Sequence, residues 1–216
     1  MAWDFSTEPE FQAQLDWIRA FVDREVKPLD VLLPQEEIYR NKSHPAHANI
    51  LRPLQDKVKV QGLWACHLGP ELGGQGYGQL KLALMNEIIG RSAWAPWAFG
   101  SQAPDSGNAE IIAHYGTQAQ KDAYLKPLLE GRINSTFSMT EPQGGSDPKV
   151  FTCSAVREGE EWLINGEKYF SSNLRYCAFA IVMAVTNPDA PVKNGSSMFL
   201  VPIYMEIGRA SCRERV

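Results

Sequence analysis

Apolar residues near the start of the chain recur with a helical period. Phe11, Leu15, Ile18, Val22 and Val26 follow one another at steps of four, three, four and four, which sets them on one helix face. The spacing predicts a first helix that Pro28 terminates, since proline lacks the amide donor and crowds the turn before it. Leu51, Leu54 and Val58 repeat the pattern over residues 50–61, up to Gly62, and Leu84 and Ile88 carry it through 80–90. Two further helices are expected over 105–115 and 118–130, closed by Gly116 and Gly131.

Beyond Ile133 the period shortens to two. The runs 136–140, 151–157, 162–165, 168–171, 179–186 and 197–201 are short, rich in aromatic and β-branched residues, and separated by turn residues. Asn165-Gly166, lying between two of them, is a two-residue hairpin signal. Helices first and strands afterwards is an α+β order. The expected fold is an N-terminal all-α bundle followed by antiparallel β structure.

Composition narrows the classes. With 44% hydrophobic and 21% charged residues in 216, the chain is an ordinary globular sequence rather than a disordered one. A net charge of −4 and a pI near 5.6 argue against a nucleic-acid partner. The apolar run around Phe179–Val185 falls far short of the ~20 residues a membrane helix needs, so no membrane association is expected. Acidic residues appear from Asp4 onward without a basic leader, and the four cysteines form no Cys-x-x-Cys pair. Both features favour buried thiols in a reducing, cytoplasmic setting.

Several motifs invite chemistry without carrying it. His44-Pro45-Ala46-His47 has metal-like spacing, but Pro45 breaks the helix that would aim both rings together, so no metal is expected. The glycine-rich run Gly73–Gly78 follows no strand and reads as a connection between helices. His67 and His114 have no evident triad partners. Trp94, Trp97 and Phe99 suit either a core or the wall of an apolar pocket.

Two runs say more. In Phe137–Pro148 a strand ending in a hydroxyl residue meets a loop with Gly144, Gly145 and Ser146, whose backbone N–H groups could cradle an anion. A polar turn leaving a strand would look the same. In Asn165–Asn173, strand alternation sets Phe170 and Ser172 on one face, an arrangement suited to a planar heteroaromatic ligand or to an ordinary sheet edge.

Taken together, these runs resemble the flavin-binding signatures of the acyl-CoA dehydrogenase family: a Thr-Glu-Pro-x-x-Gly-Ser-Asp segment, here 140–147, then an Asn-Gly-x-Lys-x-aromatic segment ending in Asn, here 165–173. Gly62-Leu63-Trp64, Pro70–Gly76, Asn86-Glu87 and Tyr115-Gly116-Thr117 extend the resemblance upstream. It implies a helical domain over 1–134 and part of a middle β-barrel or sandwich domain over 135–205, with the family's C-terminal four-helix domain missing. Residues 206–216 resemble the translation of a sequencing adapter and are expected to be a non-native tail.

The resemblance implies FAD as cofactor. Phe137, Met139 and Thr140 would touch the flavin, Gly145 and Ser146 would approach its pyrophosphate, Phe170 would pack on the isoalloxazine and Ser172 would hydrogen-bond near N5. Ser146 would also lie near the substrate thioester. Many members carry Trp and Thr at the positions of Phe170 and Ser172. The implied reaction is α,β-dehydrogenation of an acyl-CoA in fatty acid metabolism, with an electron-transfer flavoprotein as acceptor and a homodimeric or homotetrameric parent. No carboxylate here, Glu141 included, takes the place of the family's base, so the chain by itself is expected to be inactive. The alternatives are a same-fold flavin oxidase and a non-catalytic scaffold binding a CoA ester or a partner.

Overall fold

The computed structural model describes residues 6–72 and 74–203, together with the backbone of 211–212. The chain parts into two compact units between Gln102 and Ala103. The first is helical. Helix α1 (Pro9–Phe21) passes through a π turn (Val22–Val26) directly into α2 (Lys27–Leu32), so Pro28 does not end the helix. The reason is local: the Lys27 N–H bonds to the Val22 carbonyl five residues back, and the widened turn relieves the crowding that Pro28 would otherwise cause. The same device recurs where a π turn at His47–Leu51 leads into Arg52-Pro53 and another at Lys121–Leu125 leads into Lys126-Pro127.

The first unit continues with α3 (Glu36–Arg40), α4 (Arg52–Val60), α5 (Gly78–Ile89) and α6 (Ala95–Phe99). Helices α3 and α6 have five residues each, too few to show a period in the sequence. All five apolar residues of the expected first face are buried, with Leu51, Leu54, Val58, Met85 and Ile88 in the same core. Trp94, Trp97 and Phe99 are core residues too, with Tyr39 edge-on to Trp94 at 5.2 Å. Asp30 Oδ1 accepts from the backbone of Ala93 at 3.0 Å and from Ser92 Oγ at 3.1 Å, fixing the entry to α6. The glycine-rich loop joins two helical elements as expected, although Gly73 itself lies outside the described residues.

The second unit opens with α7 (Asp105–Tyr115), α8 (Gln118–Gln120) and α9 (Lys126–Leu129), so these helices group with the strands. Thr117 and Gln120 form a reciprocal capping box at the start of α8. The strands are β1 (Ser135–Ser138), β2 (Ser154–Glu158), β3 (Glu161–Asn165), β4 (Phe179–Val185), β5 (Ser196–Pro202) and the two-residue β6 (Ser211–Cys212), with a short helix α10 (Val192–Gly195) before β5. The sheet order is β1-β4-β2-β3-β6, and β5 also pairs with β4.

Three expectations are corrected here. The sheet is mixed rather than antiparallel: β4 runs parallel to β1 and to β2, while β2–β3, β3–β6 and β4–β5 are antiparallel. The long excursion between β1 and β4 supplies the crossover that parallel pairing needs. Residues 168–171 form no strand, because their polar groups bond to the β1 end instead of to a ladder. The hairpin turn therefore lies between β2 and β3, where Gly159 takes φ +63°, and not at Asn165-Gly166. The expected tail, 206–216, lies outside the described residues apart from the backbone of β6. No described helix is long and apolar enough to cross a membrane.

Candidate functional site

The two runs singled out in the sequence lie side by side in the second unit. β1 is anchored at its start, where Asp105 Oδ1 accepts from both the N–H and the Oγ of Ser135 at 2.6 Å, and Asn108 donates to the same hydroxyl at 2.8 Å. Along and beyond β1, four links tie it to the 168–172 segment. Thr136 Oγ1 donates to the Ser172 carbonyl at 2.6 Å, and the hydroxyls of Ser138 and Ser171 share a bond of 2.8 Å. Lys168 Nζ donates to the Met139 carbonyl at 2.9 Å, and the Tyr169 N–H donates to the Thr140 carbonyl at 2.8 Å.

Glu141 sits at the centre of this arrangement with 3% exposure. Its carboxylate accepts from Lys168 at 2.7 Å, Gln143 at 2.7 Å, and the N–H groups of Thr152 at 2.7 Å and Cys153 at 3.1 Å. Burial pushes its pKa up, but the bonds from Lys168, Thr152, Cys153 and Gln143 outweigh that and hold it at about 2. Such a carboxylate stays ionised and is a poor proton acceptor. The turn Glu141–Gly144 closes by two backbone bonds, and Asp147 then caps the 3₁₀ turn Pro148–Val150.

The expected ligand-facing residues fall on the open side of this frame. Phe137, Met139, Thr140 and Gly145 are half-buried, while Ser146 and Ser172 are exposed. Phe170 is not on a strand face: it takes φ +57° and stands 83% exposed, with Tyr169 edge-on at 6.0 Å. The pairing of Phe170 with Ser172 by strand alternation is therefore replaced by an irregular turn, in which the Ser172 N–H donates to the Phe170 carbonyl at 2.8 Å. A Cβ at Gly145 would come within 3.2 Å of the Thr140 methyl and 3.3 Å of its hydroxyl, so the glycine keeps the approach to Thr140 open. Gly166 fills the opposite need. It takes φ +151°, and a Cβ there would lie 2.6 Å from the Cys153 Cα.

Lys168, Thr136, Ser138 and Ser171 were not among the expected site residues. The pair Glu141–Lys168 is separated by 27 positions and has no local signature, although both residues stand inside the two quoted runs. Two cavities, of about 550 Å³ beside Trp17 and Phe21 and about 310 Å³ beside Lys149 and Asn187, include none of the expected residues in their walls.

Other candidates resolve into structure. Pro45 starts the helical turn over 45–51 rather than breaking a helix, and His44 Nδ1 accepts the Ala46 N–H at 3.1 Å. His47 is 1% exposed, with neither ring nitrogen hydrogen-bonded. Among the described residues no group of three His, Cys, Asp or Glu could hold a metal ion. Cys66, Cys153 and Cys177 are free, and burial pushes Cys66 up to about 11 and Cys177 up to about 12, leaving both as inert thiols.

Comparison with known proteins adds a second line of observation. The family model for the acyl-CoA dehydrogenase N-terminal domain matches residues 8–132, and that for the middle domain matches 136–211. The protein named "Probable acyl-CoA dehydrogenase FadE2" of Mycobacterium tuberculosis is 37% identical over 207 residues, which is 93% of this chain and 46% of that protein. Acyl-CoA dehydrogenase family member 10 of Mus musculus is 36% identical over 191 residues, covering 85% of this chain and 18% of that one. A solved structure of acyl-CoA dehydrogenase type from Mycobacterium abscessus superposes with a TM-score of 0.78 at 31% identity, covering 98% of this chain and 59% of its own. The chain thus spans about half the length, or less, of the curated relatives named here.

Proposed function

The chain belongs to the acyl-CoA dehydrogenase family, and from that premise we propose that its second unit carries a flavin-binding wall of an enzyme performing FAD-dependent α,β-dehydrogenation of an acyl-CoA thioester. The carrying observation is the side-by-side placement of Phe137–Ser146 and Lys168–Ser172, which sets the exposed Phe170 ring one residue from the link to Thr140. The residues fit FAD on two counts. An aromatic ring offered to solvent suits stacking on a planar ring system, and the space held open by Gly145 leaves the Thr140 hydroxyl approachable.

In this reading Phe170 covers one face of the isoalloxazine, while Met139 and Phe137 pack against it. Thr140 and Ser172 offer hydroxyls to its polar edge. Gly145 and Ser146 admit the pyrophosphate, and Ser146 also meets the thioester end of the substrate. FAD, when bound, supplies the acceptor for the hydrogen that leaves the substrate β-carbon as hydride. The frame around Glu141 serves orientation, since reactions of this kind depend on fixing the reacting atoms at close range. Among the described residues of the unit, the two buried carboxylates are consumed, Glu141 by Lys168, Gln143, Thr152 and Cys153 and Asp105 by Ser135, so neither is the base that removes the α-proton. The electron acceptor is an electron-transfer flavoprotein, and the whole enzyme is a homodimer or homotetramer.

Titration of FAD fluorescence tests the reading. Weak but saturable quenching by the chain, with no turnover of any acyl-CoA by the chain alone, is expected. Absence of saturable quenching would overturn the flavin assignment and favour a scaffold binding a CoA ester without redox chemistry.

A further inference from the structure

Lys168 does something that the charge of Glu141 does not require. Glu141 is satisfied by the N–H groups of Thr152 and Cys153 and by the Gln143 amide, which fix it to the approach to β2. A buried ion pair seldom adds net stability over an apolar replacement of similar volume. What Lys168 adds is a connection. Its side chain is 10% exposed, its ammonium bridges the Met139 carbonyl and Glu141 Oε1, and it lies 4.9 Å from the centre of the Phe151 ring. Two residues on, Phe170 is held at φ +57° with its ring in solvent, a conformation that a bulky residue adopts only when its surroundings impose it.

We propose that Lys168 is a positioning residue: bound to the rigid Glu141 and to the Met139 carbonyl, it holds Phe170 in its left-handed, outward-facing conformation as a preformed stacking face. The proposal rests on the flavin reading for the identity of what stacks there. It assigns the lysine of the second run to order in the ligand wall, and it does not place Lys168 in contact with the ligand.

The test compares the full chain with Lys168→Met and Lys168→Arg. In native-state hydrogen exchange the Tyr169 and Ser172 amides of Lys168→Met exchange about tenfold faster than in the parent, while those of β4 and β5 are unchanged; Lys168→Arg restores protection. FAD affinity falls about tenfold in Lys168→Met and returns in Lys168→Arg, because disorder in the unbound wall weakens binding. Unchanged exchange at Tyr169 and Ser172 overturns the proposal whatever FAD does, and faster exchange with undiminished FAD affinity overturns it as well. A parent chain that does not quench FAD strikes the flavin reading instead, and exchange alone then decides whether Lys168 holds the segment. Should Lys168→Met fail to fold with Glu141 left charged, Glu141→Gln/Lys168→Met carries the same comparison without a stranded charge.

Discussion

The helical unit and the site-bearing unit are ordered by different forces. In the first, aromatic and aliphatic side chains interlock: Trp94, Phe99, Ile18, Val22 and Leu51 have no measurable exposure, and Tyr39 packs edge-on to Trp94. In the second, the segments that form the candidate site are fixed by directional bonds from Asp105, Thr136, Ser138, Glu141 and Lys168. Apolar packing resists changes of volume but is indifferent to direction. A buried hydrogen-bonded network specifies position, and each member it loses leaves another polar group unsatisfied. The difference suits the role proposed for these segments, that of holding the Phe170 ring outward.

The comparison breaks most sharply at Glu141. Glu141→Ala leaves the buried Lys168 ammonium without its counter-charge and the N–H groups of Thr152 and Cys153 without their acceptor, and a loss of about 3–5 kcal/mol in urea unfolding is expected. A loss below about 1 kcal/mol would show that the network is incidental. Asp105→Ala tests the other anchor. It removes two charge-assisted bonds of 2.6 Å to Ser135, and a loss of about 2–4 kcal/mol should appear in the same measurement.

Acid sharpens the contrast between the units. Burial, with Lys42, Arg52 and His44 nearby, lowers His47 in the helical unit to about 4 from 6.5. The unfolded chain therefore takes up that proton first. Stability is complete above pH 6.5 and declines as pH falls from 6.5 to 4, by on the order of 3 kcal/mol. His67, also lowered by burial, acts in the same direction. Glu141 in the second unit, at about 2 against 4.5, adds its loss only as pH drops below 4.5 toward 2. Chemical denaturation across this range should give two steps, the upper one shallower in His47→Phe. A profile flat from pH 7 to 4 would contradict the buried neutral imidazole.

The same division explains what could be read from the sequence. Periodicity located α1, α4 and α5 because each turns one apolar face to a core, α7 was marked by the breakers that bound it, and the strand runs ending in β2, β3, β4 and β5 were legible from their alternation. Pro28 misled, because a π turn is a backbone adjustment with no side-chain pattern of its own. Lys168–Ser171 misled in the opposite sense: its alternation mimics a strand, yet the residues bond individually to Thr140, Met139 and Ser138. Pairing between Glu141 and Lys168, like the parallel register of β1 with β4, depends on contacts remote in the chain. Packing leaves a period in the sequence, whereas polar anchoring leaves only isolated residues that family resemblance can point to.

Phe170→Ala carries the smallest expected effect on stability and the most specific one on function. The ring is 83% exposed and its backbone is in the left-handed region, so removing it takes little surface out of the fold. Unfolding free energy should change by less than about 0.5 kcal/mol, in contrast to the losses at Glu141 and Asp105. If the ring exists to stack on a flavin, FAD affinity should fall by about tenfold, a change of about 1.4 kcal/mol in binding. Equal stability with weakened FAD binding would show that the site is built from a stable frame and a dispensable face. Equal stability with equal FAD binding would remove Phe170 from the ligand wall and leave its outward, strained conformation without a purpose.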